Sequence, residues 1–171
     1  ALLSSALEEY QNDDPASPAT SAKAVDGGFA LSGSKLCVAA ATRAARILVP
    51  ATTGDELLVV LVDPQAAGVT LNAQVVTSGE TLHELVLENV QVAAGDVVAR
   101  GDEALAAMHW ARAATRTALS AMALGLCDKM MRITGQYTSE REQFGRAIAT
   151  FQAVSHRVAD CYIDVESLRL V

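Results

Sequence analysis

The sequence predicts a segregated α+β fold: an antiparallel β-sheet or barrel domain, then two long antiparallel helices of a four-helix bundle. Three observations carry this. Short β-rich runs separated by Gly-Gly and Gly-Asp turns fill residues 1–100. Residues 101–171 carry two apolar stripes at three- and four-residue steps, the period of amphipathic helices. The change of period near residue 100 is abrupt, and it sets the one expected domain boundary, a β-domain over 1–100 and a helical domain over 101–171.

The elements follow in order. Residues 8–18 are acidic and broken by Pro15 and Pro18, so they read as an exposed loop, with Glu8-Glu9 and Asp13-Asp14 as a solvated acidic turn. Gly27-Gly28 is a turn signal. Residues 29–31 and 36–38 then flank Ser32-Gly33-Ser34 like two arms of a hairpin. Residues 46–49 and 57–62 are strands joined at Gly54-Asp55. The run 57–62 is apolar throughout, as a strand covered on both faces must be. Residues 69–71 and 85–87 alternate, 90–92 close the series, and Gly95-Asp96 turns the chain out.

In the second half, Asp102 and Glu103 suit the positive N-terminal end of a helix. Thr115, Leu119, Met122, Leu126, Met130 and Ile133 form one stripe of that helix. Gly125 inside it costs about 1 kcal/mol against Ala, which points to close packing of another backbone. Gly135 and Gly145 bracket a polar stretch where the helix ends or turns. Thr150 reads as the N-cap of a second helix with the stripe Phe151, Val154, Val158, Cys161, Val165 and Leu168. Two such helices cannot bury both stripes on each other alone, so further helices are expected from chain outside these residues or from other subunits.

Composition narrows the function classes. Hydrophobic residues make up 51% and aromatics 4% of 171 residues, so Ala, Val and Leu must build the core. Charged residues, at 19%, fall below the usual quarter, which fits a chain that hides surface against a partner subunit. Twenty acidic residues against 13 basic give a net charge of -7. With no Lys/Arg cluster, a nucleic-acid partner is not expected. No apolar run reaches the ~18 residues of a membrane span. The opening Ala1-Leu2-Leu3 carries no basic region, so a signal peptide is not expected and the chain reads as cut from something longer. Cys37, Cys127 and Cys161 make neither a disulfide framework nor a zinc spacing, so a reducing, cytoplasmic setting is expected.

Most motifs have plain structural readings. Gly28-x-x-x-x-Gly33-Ser34-Lys35 misses the phosphate loop, because a Ser separates Gly from Lys and a strand follows. A hairpin turn is the better account. His83, His109 and His156 stand alone at no metal-ligand spacing and read as surface or interface residues, so no metal is expected. No Gly-x-Ser-x-Gly elbow is present, so a hydrolase triad has no support.

The segment 137–152, Tyr-Thr-Ser-Glu-Arg-Glu-Gln-Phe-Gly-Arg-Ala-Ile-Ala-Thr-Phe-Gln, admits two readings. In one it is a helix–turn–helix with Phe144, Ile148 and Phe151 as core and Arg141, Arg146 and Gln152 solvated. In the other, Arg141 offers a forked cation and Gln152 an amide to a phosphate-bearing ligand at a helix end. Spacing alone does not choose.

Ser-Glu-Arg-x-Gln-Phe-Gly-x-x-Ile-x-x-Phe-Gln, followed by Ala159-Asp160, resembles the helix–turn–helix signature of the acyl-CoA dehydrogenases. Residues 24–35 resemble the family's Gly-Asp-x-Tyr-x-Leu-Asn-Gly-x-Lys hairpin, and 85–92 its last sheet strands. The resemblance implies a middle β-domain followed by the first two helices of the C-terminal bundle. It implies an FAD enzyme that oxidises an acyl-CoA thioester across its α and β carbons and passes electrons to an electron-transfer flavoprotein. It implies that Arg141 meets the FAD diphosphate of a neighbouring subunit, that Gln152 lies along the same dinucleotide, and that Gln143 and Phe144 sit near its adenosine end.

The departures from the family are on one side. The family's Ala-Leu-Thr-Glu-Pro…Gly-Ser-Asp loop has no Gly-Ser-Asp counterpart near residues 1–10. The family's Trp-Ile-Thr/Ser-Asn, which packs on the flavin and bonds it, is Cys37-Val38-Ala39-Ala40 here. Losing that ring and that hydroxyl removes about 1–3 kcal/mol of cofactor binding. Of the family's Leu-Asp-x-x-Arg, the Asp position is Ala113 while Arg116 remains, a substrate-binding expectation by resemblance. Thr115 stands where one branch carries its catalytic glutamate, so no catalytic base is identified. The expectation is a subunit that completes a homologous partner's FAD site. The alternatives are a non-catalytic structural subunit and a self-sufficient homotetramer. Ala-rich helices leave room for a bulky acyl group such as a ring system.

Overall fold

The computed structural model describes residues 1–170. The chain divides into two compact units, residues 1–112 and 113 onward. The expected change at residue 100 is where strand gives way to helix. The first unit runs twelve residues further, because the opening turns of the helix pack on the sheet.

The first unit holds β1 (Leu3–Ser5), β2 (Ser21–Val25), β3 (Gly28–Ala39), β4 (Arg46–Thr53), β5 (Glu56–Val62), β6 (Val69–Gln74), β7 (Leu82–Ala93) and β8 (Val97–Arg100). They form one eight-stranded sheet in the order β6-β7-β3-β2-β4-β5-β8, with β1 beside β4. Pairing is antiparallel throughout except that β1 and β2 run parallel to β4. The sheet does not close into a barrel among the described residues.

Hydrophobic alternation sets which face is buried. Leu58, Val60 and Val62 join Leu31, Val38, Ile47, Val49, Leu85 and Leu87 in the main core. Leu57 and Val59, on the opposite face of β5, meet Ala104 and Met108 of the following helix in a second cluster. The run 57–60 is therefore buried on both faces, as its unbroken apolar character requires.

Three expectations are corrected. Residues 29–38 are not two arms around Ser32-Gly33-Ser34 but one strand, β3, with register irregularities between Leu31 and Gly33 and between Lys35 and Val38. The hairpin turn lies earlier, where β2 meets β3 with Val25 opposite Gly28. Gly33 marks a close approach rather than a turn, since a Cβ there would strike Thr20. The acidic loop is not wholly solvated: Glu9 is buried, and its two oxygens accept four hydrogen bonds. Oε1 accepts from Lys35 Nζ at 2.6 Å, Thr20 Oγ1 at 2.6 Å and the Thr20 amide at 3.0 Å, and Oε2 from the Ala19 amide at 2.5 Å. Lys35, the residue of the abortive phosphate loop, is 0% exposed and committed to this pair. Finally, His83 is buried on β7 opposite Val38 and Ala73, with Nδ1 unpartnered among the described residues, rather than lying at the surface.

α1 (Gly101–Glu140) runs straight through Gly135, and α2 (Gln152–Arg169) returns antiparallel, so that Arg169 reaches Asp128 of α1. Thr150 does not cap α2: Phe151 occupies the N-cap and no side chain caps it, while the Thr150 hydroxyl donates to the Ala147 carbonyl. Within the second unit Cys127, Met131 and Thr134 share an apolar groove with Val158, Cys161 and Val165. The expected α1 stripe, Leu119, Met122, Leu126, Met130 and Ile133, stays exposed, and nothing among the described residues lies within 4 Å of a Cβ at Gly125. That is the state of two bundle helices whose remaining neighbours are not among these residues. No described helix is long and apolar enough to cross a membrane.

Removing one partner of a buried ion pair strands the other charge. Lys35→Met is therefore expected to lower the unfolding free energy by about 3–5 kcal/mol in denaturant titration. Thr20→Val, which deletes one of four acceptor contacts, is expected to cost about 1 kcal/mol. Burial alone would raise the Glu9 pKa, but the hydrogen bonds from Lys35, Thr20 and Ala19 and the Lys35 charge together hold it below the ordinary glutamate value. A carboxylate with a lowered folded-state pKa stabilises the fold above its unfolded pKa, and that stability is lost as pH falls through the lower folded value. Stability is expected to drop on that acid side, more shallowly in Glu9→Gln, as read by unfolding curves at stepped pH.

Candidate functional site

The segment between α1 and α2 gathers most of the chemistry that the sequence singled out. α1 ends at Glu140, and the Arg141 amide still donates to the Tyr137 carbonyl at 2.8 Å. β9 (Glu142–Gln143) and β10 (Arg146–Ala147) then pair antiparallel, with Arg146 opposite Gln143 and Ala147 opposite Glu142. Phe144 and Gly145 close this hairpin with φ of 54° and 75°. Two positive φ values make the tight turn that matches strand twist, and Gly145 takes its place without strain. Phe144 has a Cβ, so the left-handed conformation costs it about 1–2 kcal/mol. The Ile148 amide donates to the Arg141 carbonyl at 2.8 Å and ties the end of the hairpin back to its start.

Three side chains fix the hairpin to the start of α2. The Phe144 and Phe151 rings meet edge to face, with centroids 6.2 Å apart and planes at 84°. The Arg146 guanidinium lies over the Phe151 ring, 4.2 Å from its centroid. Phe144 is nonetheless 92% exposed. It is not the core residue that a plain helix–turn–helix would make of it, whereas Ile148 and Phe151 are half-buried. Phe144 thus combines a left-handed backbone with a solvent-exposed ring.

The expected site residues fall as follows. Arg141, Gln143, Phe144 and Gln152 all lie in or beside this hairpin and all are exposed. Gln143 turns its amide nitrogen to the Glu142 carbonyl at 2.8 Å. Gln152 is the first residue of α2, where the Val154 and Ser155 amides donate to the Phe151 carbonyl and no side chain caps the helix. Neither Arg141 nor Arg146 forms an ion pair among the described residues, although Glu140 and Glu142 are their neighbours in sequence. Two free cations, an exposed ring and an uncapped helix N-terminus suit an anionic ligand carrying a flat heterocycle. Arg116 lies apart, exposed on α1 and without an ion pair. Arg146 is the residue that sequence reasoning left out. Its contact with Phe151 depends on the turn at Ile148–Thr150 that follows the hairpin, and no sequence period announces it.

In the first unit, 37–40 is the other segment of interest. Val38 is fully buried, Cys37 and Ala39 are exposed, and Cys37 and Ala40 adopt left-handed φ of 55° and 52°. The Cys37 amide donates to Gln74 Oε1 at 2.9 Å. Partial desolvation first, and then Glu8, push the Cys37 thiol pKa above the ordinary cysteine value. No group of three or more His, Cys, Asp or Glu side chains could hold a metal ion among the described residues.

Residues 102–171 match the family described as acyl-CoA dehydrogenase, C-terminal domain. Acyl-CoA dehydrogenase FadE27 of Mycobacterium tuberculosis is 32% identical over 99% of this chain and 43% of its own length. Among solved structures, a Tcur3481–Tcur3483 steroid ACAD variant is 40% identical with a TM-score of 0.84, over 98% of this chain and 44% of that one. The ChsE4-ChsE5 complex from Mycobacterium tuberculosis is 32% identical with a TM-score of 0.85, over 99% and 44%. The chain thus spans less than half the length of the relatives it matches. Over the stretch that it spans, from a middle β-domain into the first helices of a C-terminal bundle, the chain belongs to the acyl-CoA dehydrogenase family.

Proposed function

We propose that the chain is part of an FAD-dependent acyl-CoA dehydrogenase and serves as the subunit that completes a homologous partner's FAD site. One observation carries this reading: the two segments that would touch a flavin dinucleotide differ in what they offer. The hairpin at 141–152 fits the diphosphate and adenosine end, with unpaired cations, an exposed ring and the start of α2. Residues 37–40 do not fit the flavin end, because Cys37, Val38, Ala39 and Ala40 supply neither a stacking ring nor a side-chain hydroxyl. A chain that binds its own flavin has no reason to keep only the half that reaches a neighbour. Both solved relatives above are named as pairs of components, which agrees with such an assembly.

When bound, FAD supplies the acceptor for a hydride from the acyl β carbon as the α proton leaves. The chain's own share is binding and orientation. Arg141 gives the diphosphate a forked, permanently charged donor, and it is engaged in no ion pair among the described residues. Gln152 adds an amide at the positive end of α2. Gln143 and Phe144 form an edge and a face for the adenosine. Arg116 is assigned to the acyl-CoA substrate. No residue of this chain is assigned as the base that takes the α proton. The acyl group is assigned as bulky and ring-containing, on the Ala-rich course of α1 and on the word steroid in the name of the 40% identical relative. The proposed electron acceptor of the assembled enzyme is an electron-transfer flavoprotein, in a reducing, cytoplasmic setting.

Arg141→Ala in the full-length chain, assembled with its partner, tests this reading. A charge-assisted hydrogen bond is worth about 1.5–3 kcal/mol, so FAD is expected to bind about ten- to a hundredfold more weakly, with flavin lost on dialysis and turnover falling with it. Unchanged flavin content and turnover would leave the structural-subunit alternative in its place.

A further inference from the structure

Arg146 is the basic side chain of the hairpin to which the family signature gives no role, and its setting is specific. Its guanidinium sits 4.2 Å over the Phe151 ring, one residue before the start of α2. Among the described residues it takes no carboxylate partner, a state it shares with Arg141, Arg116 and Arg157 of the second unit, and what sets it apart is its seat on the Phe151 ring.

A guanidinium seated over a ring still has its N–H donors for an acceptor. The ring beneath it is itself fixed, edge-on, by Phe144. β10 pairs Arg146 with Gln143, and the Ile148 amide ties the same hairpin to the Arg141 carbonyl. Arg141 and Arg146 thereby belong to one hydrogen-bonded hairpin that leads into α2.

We infer that Arg146, seated on Phe151, is a second cation for the dinucleotide diphosphate, taking one phosphate while Arg141 takes the other. The inference rests on the FAD-site reading above. A diphosphate diester carries one negative charge on each phosphorus, so a single arginine leaves one of them uncompensated. The aromatic seat has a further consequence, because it fixes the donor plane before the ligand arrives and so lowers the ordering cost of binding.

The test is FAD binding to the full-length chain assembled with its partner, with ADP as a second probe that carries the diphosphate and adenosine without the flavin. Arg146→Met keeps length and loses charge. Arg146→Lys keeps charge and loses the planar stack. Arg146 is exposed, so both variants are expected to assemble. The inference predicts that Arg146→Met raises the Kd of both FAD and ADP about tenfold and makes it less sensitive to salt. It predicts that Arg146→Lys restores the salt sensitivity and part of the affinity. Equal losses in the Met and Lys variants with unaltered salt dependence would make Arg146 a purely structural prop and overturn the inference. So would a Kd within twofold of wild type in Arg146→Met. Arg141→Ala in parallel separates the two ideas: if it weakens FAD and Arg146→Met does not, only the second cation fails, and if Arg141→Ala has no effect, the FAD-site reading fails.

Discussion

Glu9 holds the first unit together from within. Its carboxylate collects Lys35 from the middle of β3, the hydroxyl and amide of Thr20 and the amide of Ala19. An ion pair taken out of water survives only if its remaining hydrogen-bonding capacity is met, and here four donors meet it. The pair pins the segment before β2 against the strand after it, and Gly33 lets that segment approach, since any side chain there would strike Thr20. Leu7 and Ala16 of the same segment then pack beside Leu57, Val59, Ala104 and Met108, so the start of α1 is anchored as well. Asp14 adds an outer tether to Arg112 at 3.1 Å. What reads as an acidic loop is a buckle across the sheet.

Within the first unit the sheet anchors the opening turns of α1 through Ala104 and Met108. The second unit presents its exposed features at the turn between helices: two unpaired arginines, a strained Phe144 and the bare N-terminus of α2. Water solvates all of these at some cost in side-chain order, and nothing within the unit repays it. The proposed function supplies the missing partner, an anionic dinucleotide belonging to a neighbouring subunit. The same reasoning accounts for the exposed apolar stripe of α1, which two helices alone cannot cover.

The sequence disclosed those parts of the fold whose signal is local. The unbroken run 57–62 announced a strand buried on both faces, and the stripe of α2 foretold the buried Val165 and the half-buried Val154, Val158 and Leu168. It misled where the deciding contact is distant. Glu9 and Lys35 are 26 residues apart, so nothing nearby distinguishes a buried glutamate from a solvated one. Gly33 carries the signature of a turn, but it serves a close approach within an irregular strand. Val97–Arg100 was missed because the turn at Gly95-Asp96 leads into one more strand rather than out of the sheet. At the candidate site the family-like pattern drew attention to residues 141–152, which fold as a hairpin leading into α2. The strands β9 and β10, two residues each, are too short to show a period, so the contact of Arg146 with Phe151 could be seen only in three dimensions.

The central claim is that the chain contributes to a flavin site without owning one. The most direct measurement is the flavin absorbance of the full-length protein, purified alone and after co-expression with its homologous partner. A colourless protein alone that becomes yellow in the assembled complex is the predicted result. A protein that is yellow by itself would contradict the account, because residues 37–40 would then hold FAD without ring or hydroxyl.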